Sequence, residues 1–154
     1  MSFTGKPDTF LNTEIANDGF YPDIKLGELQ RFYRVPTEHK QDVIEHHTRL
    51  AISDCNNQLA VQKAKWVAMG FTMLEQVDAA TIGDELAKVE QYKRAVFCRT
   101  VGLLVMAFAT LNRREVAENQ AKEGDETIQY FLAQSGRAIR RLLGLTENVS
   151  VELL

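Results

Sequence analysis

The chain has 154 residues, 45% of them apolar and 25% charged, with a formal charge of −3 and a pI near 5.6. That is ordinary globular usage, enough to bury about 70% of the unfolded surface in one core without disulfide or metal staples, and it argues against a protein whose affinity comes from wrapping phosphates. The longest apolar run, Val101 to Ala109, is far short of the ~20 residues of a membrane span; with no basic segment leading into an apolar one at the start, the expected place of work is the cytoplasm.

Residues 1–20 mix Gly, Pro, Asn, Thr and Asp with isolated Phe3, Phe10, Leu11 and Ile15. No helical or alternating period is present, so an extended arm is expected, its apolar residues available as anchors on a neighbour. A short helix follows over residues 26–33, where Leu26, Leu29, Phe32 and Tyr33 supply an inner face. Pro36 stops it, because proline disfavours helix in the residue before it, and the Thr37 hydroxyl is placed to cap the next helix.

Residues 37–69 contain no internal Pro or Gly, which predicts one helix about 50 Å long at ~1.5 Å per residue. Its expected seam is Val43, His47, Leu50, Asp54, Asn57, Val61, Ala64 and Ala68, with a neighbouring stripe of Ile44, Ala51, Cys55, Leu59 and Trp66. The polar mid-section, residues 54–58, is either a solvated or interface-facing stretch or a polar packing device that fixes partner register. Gly70 is the expected stop, since glycine enters the left-handed conformation freely, and residues 71–83 then form a connection.

A second long helix is expected over residues 84–122, with Leu86, Val89, Ala95 or Val96, Leu103, Ala107 and Leu111 as its stripe. The polar run ending in Lys122-Glu123-Gly124-Asp125 predicts a break. A last helix then carries Ile128, Phe131, Leu132, Ser135, Ile139, Leu142 and Leu143 inward and ends at Gly144. Arg137, Arg140 and Arg141 in its final turns suit the negative end of the helix dipole. Beyond it Val149, Val151 and Leu153 alternate with Ser150 and Glu152, the period of a strand. Nothing upstream offers that strand a sheet, so pairing with another subunit is expected.

The expected fold is therefore all-α: a helical bundle with two long antiparallel helices and shorter ones. It divides into an extended arm at 1–20, a bundle at 21–144 and a strand-like partner-binding tail at 145–154. Reactive chemistry has little support. His39, His46 and His47 share one helix, no Ser-His-Asp or Cys-His arrangement can be proposed around them, and no metal-ligand spacing accompanies them. Cys55 and Cys98 stand 43 positions apart outside any C-x-x-C pair and read as reduced core thiols. Phosphate-cradling glycine motifs are missing. Trp66 and the other aromatics have core spacing rather than a base-stacking pattern. Arg113-Arg114 and Arg140-Arg141 fit either an acidic partner or phosphate backbone, or simply a solvated surface and a dipole partner. No catalytic, cofactor or metal residue is expected.

In order along the chain, Phe20-Tyr21-Pro22-Asp23-Ile24, Asn57-Gln58-Leu59, Gly70-Phe71-Thr72-Met73-Leu74, Ile82-Gly83-Asp84-Glu85, Tyr92-Lys93-Arg94-Ala95-Val96, Asp125-Glu126-Thr127-Ile128, Arg137-Ala138-Ile139-Arg140-Arg141 and Gly144 resemble the L-type head-completion proteins of contractile-tailed phages. The resemblance covers residues 20–154. It implies a non-enzymatic virion subunit, made and assembled in the host cytoplasm, in a neck ring beneath the portal. The implied partners are the portal protein, neighbouring copies to a total of roughly twelve in a closed ring, and a tail-side neck or tail terminator protein. DNA would pass through the lumen without sequence-specific binding. The residues assigned to partner contact are Val149, Val151, Leu153, Arg137, Arg140, Arg141, Phe3 and Phe10. Without the resemblance, the amphipathic helices alone would fit a small cytoplasmic helical regulator that binds a protein.

Overall fold

The fold is described from a computed structural model for residues 10–35, 39–77, 80–112 and 118–145. It is all-α. Its helices are α1 (Leu26–Tyr33), α2 (Gln41–Gln58), α3 (Ala60–Ala68), α4 (Ala87–Asn112) and α5 (Glu118–Leu142), joined by two minor antiparallel strand pairs.

The sequence puts α4 at the centre, because its apolar residues spread over nearly every face. Ala95, Val96, Phe97, Cys98, Val101 and Leu104 are all buried. α5 packs against it antiparallel: Arg94 donates to Gln134, the Ser135 hydroxyl donates to the Ala95 carbonyl at 2.7 Å, and further along Gly102 faces Leu132. Small residues set this close approach. A Cβ on Gly102 would stand 3.0 Å from the Leu132 Cδ2 atom. Gly102→Val is expected to lower the unfolding free energy by about 1–3 kcal/mol through overpacking, read as a fall in the urea midpoint at unchanged slope.

α2 lies on the other flank of α4 and is also antiparallel to it. The His39 ring, just before α2, stacks on Phe108 at 4.1 Å, and Arg99 bonds Asp54 at 2.8 Å. The single helix expected over residues 37–69 is two. Leu59 (φ −96°, ψ 2°) departs from helical geometry, although its amide still reaches the Cys55 carbonyl and its carbonyl still accepts from Lys63. The bend carries α3 along residues 18–21, where Trp66 stacks on Phe20 and Lys63 meets Asp18.

The expected seam of this region is not the core. Val61 is 71% exposed, Leu50 is 43% exposed, and Asn57, Ala64 and Ala68 are exposed. The neighbouring stripe is buried instead, through Ile44, Ala51, Cys55, Leu59 and Trp66, joined by Thr48 and Ile52. Both stripes satisfy the helical period; the buried one avoids His47, Asp54 and Asn57, whose desolvation would cost free energy. Phe32 is likewise 64% exposed, because six positions from Leu26 is about 240° around the helix, off the face shared by Leu26, Leu29 and Tyr33.

The expected break at residues 122–125 is also corrected. Gly124 lies inside α5, where a Cβ would meet nothing within 4 Å. A glycine in an exposed helix interior costs only about 1 kcal/mol, which the burial of Ile128, Ser135, Ile139 and Leu142 outweighs. α4 ends at Asn112 and α5 begins at Glu118, both ahead of the expected break, and Arg113-Arg114 falls outside the described residues. Of the stripe read for the last helix, Ile128, Ser135, Ile139 and Leu142 are buried and Phe131, Leu132 and Leu143 are half-buried.

Residues 10–20, expected as part of an extended arm, lie with residues 21–25 on their own chain. β1 (Glu14–Ile15) pairs with β2 (Ile24–Lys25), and Ile15, Phe20, Tyr21 and Ile24 are buried, so Ile15 is not an anchor for a neighbour. The Leu11 amide donates to Gln30 Oε1 at 2.7 Å. A Cβ on Gly27 would stand 2.8 Å from the Leu11 carbonyl oxygen, so only glycine lets α1 receive this segment so closely. After α3, a 3₁₀ turn at Leu74–Gln76 and the hairpin of β3 (Thr81–Ile82) and β4 (Glu85–Leu86) lead into α4.

Candidate functional site

Of the residues assigned to partner contact, Val149, Val151, Leu153 and Phe3 lie outside the described residues. Phe10 is half-buried, with the Arg31 guanidinium 5.6 Å from its ring centroid. Arg137 and Arg141 are exposed and Arg140 is half-buried at the end of α5. The structure does not gather the described ones into one pocket. It brings together two other surfaces and one internal polar junction.

The first surface is a groove of about 640 Å³ between α1, α4 and α5. Aromatic rings form much of its wall. Tyr33 and Phe97 have centroids 5.5 Å apart, Tyr130 and Phe131 meet edge to face at 5.3 Å, and Tyr130 is 58% exposed. Charged side chains set the rim. Lys93 lies 3.5 Å from Glu28 and 3.7 Å from Glu90, Arg94 donates to Gln134 at 2.7 Å, and Glu85 also lines the groove. A shallower extension over Tyr130 and Phe131 adds Glu126.

Burial pushes the Cys98 thiol above its ordinary pKa despite the Tyr33 hydroxyl and Arg94 nearby, so it is a poor nucleophile near neutrality. Burial, with the Cys98 thiol beside it, likewise raises the Tyr33 phenol well above its usual range. Among the described residues no group of three His, Cys, Asp or Glu side chains is placed to hold a metal ion.

The second surface is the outer face of α3 with the end of α2, where Leu50, Val61, Val67 and Met69 are exposed. α3 carries Lys63 and Lys65 and no acid.

The polar junction joins three segments that the sequence keeps far apart. The Asn17 amide donates to the Pro22 carbonyl at 3.0 Å and to the Tyr92 hydroxyl at 2.8 Å. Asn56 donates to Asn17 Oδ1 at 2.9 Å, and the Tyr92 hydroxyl donates to Asn56. Beside them Asp18 Oδ1 accepts from the amides of Phe20 and Tyr21, and Lys63 donates to Asp18 Oδ2 at 2.7 Å. Thus the polar stretch at residues 54–58 holds register within the chain through Asp54 and Asn56, while Asn57 and Gln58 are exposed. Asn17 and Tyr92 were not singled out from the sequence for this role. Their only signal was adjacency to the segments Phe20-Tyr21-Pro22-Asp23-Ile24 and Tyr92-Lys93-Arg94.

Two titrations set an acid limit. Burial works to raise the Asp18 pKa, but the Lys63 ammonium and the Tyr21 and Phe20 amides outweigh it and hold the carboxyl below its ordinary 3.8. Burial, and then the adjacent His46, depress His47 below its ordinary 6.5. In both cases the unfolded chain takes up a proton more readily than the folded one. Their contribution is present above the unfolded pKa and is lost as pH falls through the folded one. Unfolding free energy is therefore expected to decline below about pH 6.5 and again below about pH 3.8. His47→Gln should remove the first decline in a pH series of urea melts.

The chain matches, over residues 15–154, the family model described as phage head completion protein (GPL). It is 28% identical over 142 residues, covering 92% of the chain and 93% of the relative, to a protein named as the probable head completion/stabilization protein of Haemophilus phage HP1 (strain HP1c1). It is 25% identical over 130 residues, 84% of the chain and 77% of the relative, to the head completion/stabilization protein of Escherichia phage P2. No solved structure matches it. The family match opens at Ile15, where the packed core also begins.

Proposed function

The chain belongs to the phage head completion protein family, and from that premise we propose that it is a non-enzymatic ring adaptor at the neck of the virion, beneath the portal, helping to close the DNA-filled head and to join it to the tail. The observation that carries this reading is the family match over residues 15–154. A compact bundle with separate docking faces supports it, since an adaptor must meet a portal above, its own neighbours laterally and a tail-side neck protein or tail terminator below. In a ring the lateral contact is heterologous and closes when the rotation per subunit divides the circle, roughly twelve times here. A net charge of −3 suits a conduit that lets DNA pass without holding it.

In this reading residues 145–154 are the portal-binding tail, with Val149, Val151 and Leu153 as alternate side chains of an added strand. Arg137, Arg140 and Arg141 lie at the helix end from which that tail departs, and residues 1–20 add Phe3 and Phe10 toward a neighbour. Assembly takes place in the host cytoplasm. The test is a phage lacking this chain, complemented with and without it. Without it, electron microscopy should show DNA-filled heads that leak or stay tailless; with it, tailed particles should return, with the chain's density between portal and tail. Normal tailed particles in its absence would overturn the proposal.

A further inference from the structure

We propose that the lateral contact of the ring is made by seating the outer face of α3 of one copy in the aromatic groove between α1, α4 and α5 of the next; the inference rests on the ring reading above. α2, which leads into α3, and the groove lie on opposite faces of α4. Tyr92 and Arg99, which meet Asn56 and Asp54 of α2, stand two turns apart on one face of α4. Glu90, Arg94 and Phe97, which line the groove, lie about half a turn from them at ~100° per residue. A ridge and a groove on opposite flanks are what a head-to-tail contact requires.

The ridge is a helical stripe that the monomer does not use. Leu50, Val61, Ala64 and Ala68 follow helical spacing along α2 and α3, yet all are exposed, and Val61 is 71% exposed. Its small alanines permit close approach, and Val61 offers an apolar knob. Across the contact, Phe32 and Tyr130 are 64% and 58% exposed, so the groove has the aromatic wall such a knob needs.

Charge selects a second copy in this orientation. α3 bears two lysines and no acid. The groove and its extension are lined by four glutamates, Glu28, Glu85, Glu90 and Glu126, against two cations, Lys93 and Arg94. Ridge against ridge would oppose lysines, and groove against groove would oppose glutamates. Only the heterologous pairing brings opposite signs together. Lys63 is bound to Asp18, which makes Lys65 the side chain we assign to the acidic rim.

The native chain in phage particles provides the test. Zero-length carbodiimide cross-linking, with the dimer band taken for peptide mapping, should join Lys65 to Glu85, Glu90 or Glu126. A dimer band without any link between α3 and the groove would overturn this contact while leaving the ring intact. Absence of any oligomer ladder, with a general lysine cross-linker as well, would remove the ring reading and this inference together. As a second reading, a chain carrying both Val61→Cys and Tyr130→Cys should oxidise to a ladder extending past the dimer, while neither single variant does. A Val61→Cys dimer formed alone would show a symmetric contact and overturn the proposal.

Discussion

Tyr92→Ala is expected to lower the unfolding free energy by about 3–5 kcal/mol, the loss typical of a large side chain removed from a core, and Tyr92→Phe by about 1–3 kcal/mol. The ring is fully buried and stacks on Tyr21 with centroids 4.5 Å apart and planes 4° from parallel. Its hydroxyl closes a triangle, accepting from Asn17 and donating to Asn56, while Asn56 donates to Asn17. Burial raises the phenol pKa far above its usual value, despite the Asn17 hydrogen bond, so it remains a donor throughout the accessible pH range. Phenylalanine keeps the stacking and leaves two amide side chains short of a partner. Alanine loses both, and with them the bonds of α4 to Asn17 and Asn56. Urea unfolding followed by circular dichroism separates the two contributions. A Tyr92→Phe midpoint equal to that of the unaltered chain would mean that the triangle contributes nothing net.

Elements whose sequence has one dominant period are legible without a structure. α1 is bounded at Leu26 and Tyr33 as read, and α5 buries Ile128, Ser135, Ile139 and Leu142 on one face. Trp66 and both cysteines are buried as expected. Legibility fails where two stripes compete. Along α2 and α3 the seam through Val43, Leu50 and Val61 and the stripe through Ile44, Ala51 and Leu59 have the same period; which one turns inward depends on where α4 lies. Gly124 misled for a related reason: its local cost is about 1 kcal/mol, small beside the packing of the helix that contains it.

The candidate site was less legible still. Phe32 reads as one of a run of apolar residues beside Leu29 and Tyr33; its angle of about 240° from Leu26 turns it outward, but only the path of α1 across α4 places it in one groove with Tyr130. The triangle of Asn17, Asn56 and Tyr92 spans 75 positions, and asparagines carry no periodic signal that would connect them. The polar run at residues 54–58 did carry a hint, since charge and amide groups in the middle of a helix need partners or water. Asp54 and Asn56 find theirs within the chain, on α4 and the amino-terminal segment.

Deleting residues 149–154 is expected to leave the urea midpoint unchanged while abolishing co-sedimentation with purified portal rings. The stability half is expected because, among the described residues, the last buried member of the core is Leu142; changes away from packed side chains usually stay within about 0.5 kcal/mol. The binding half follows from the proposal that Val149, Val151 and Leu153 add a strand to a sheet edge of the portal, where backbone hydrogen bonds give affinity and alternate side chains give selectivity. Ordering such a tail costs conformational entropy at every copy. The proposed ring would repeat the contact roughly twelve times, so a loss of about 2 kcal/mol per site, near the threshold of an interface hot spot, would be multiplied through avidity. Two further variants distinguish the contributions. Val151→Pro removes a backbone donor and should weaken binding as strongly as the deletion, whereas Ser150→Ala, on the other face of the alternation, should bind normally. A truncated chain that still sediments with portal rings would assign the attachment to another surface, and the exposed arginines Arg137 and Arg141 at the end of α5 would be the next residues to reverse in charge.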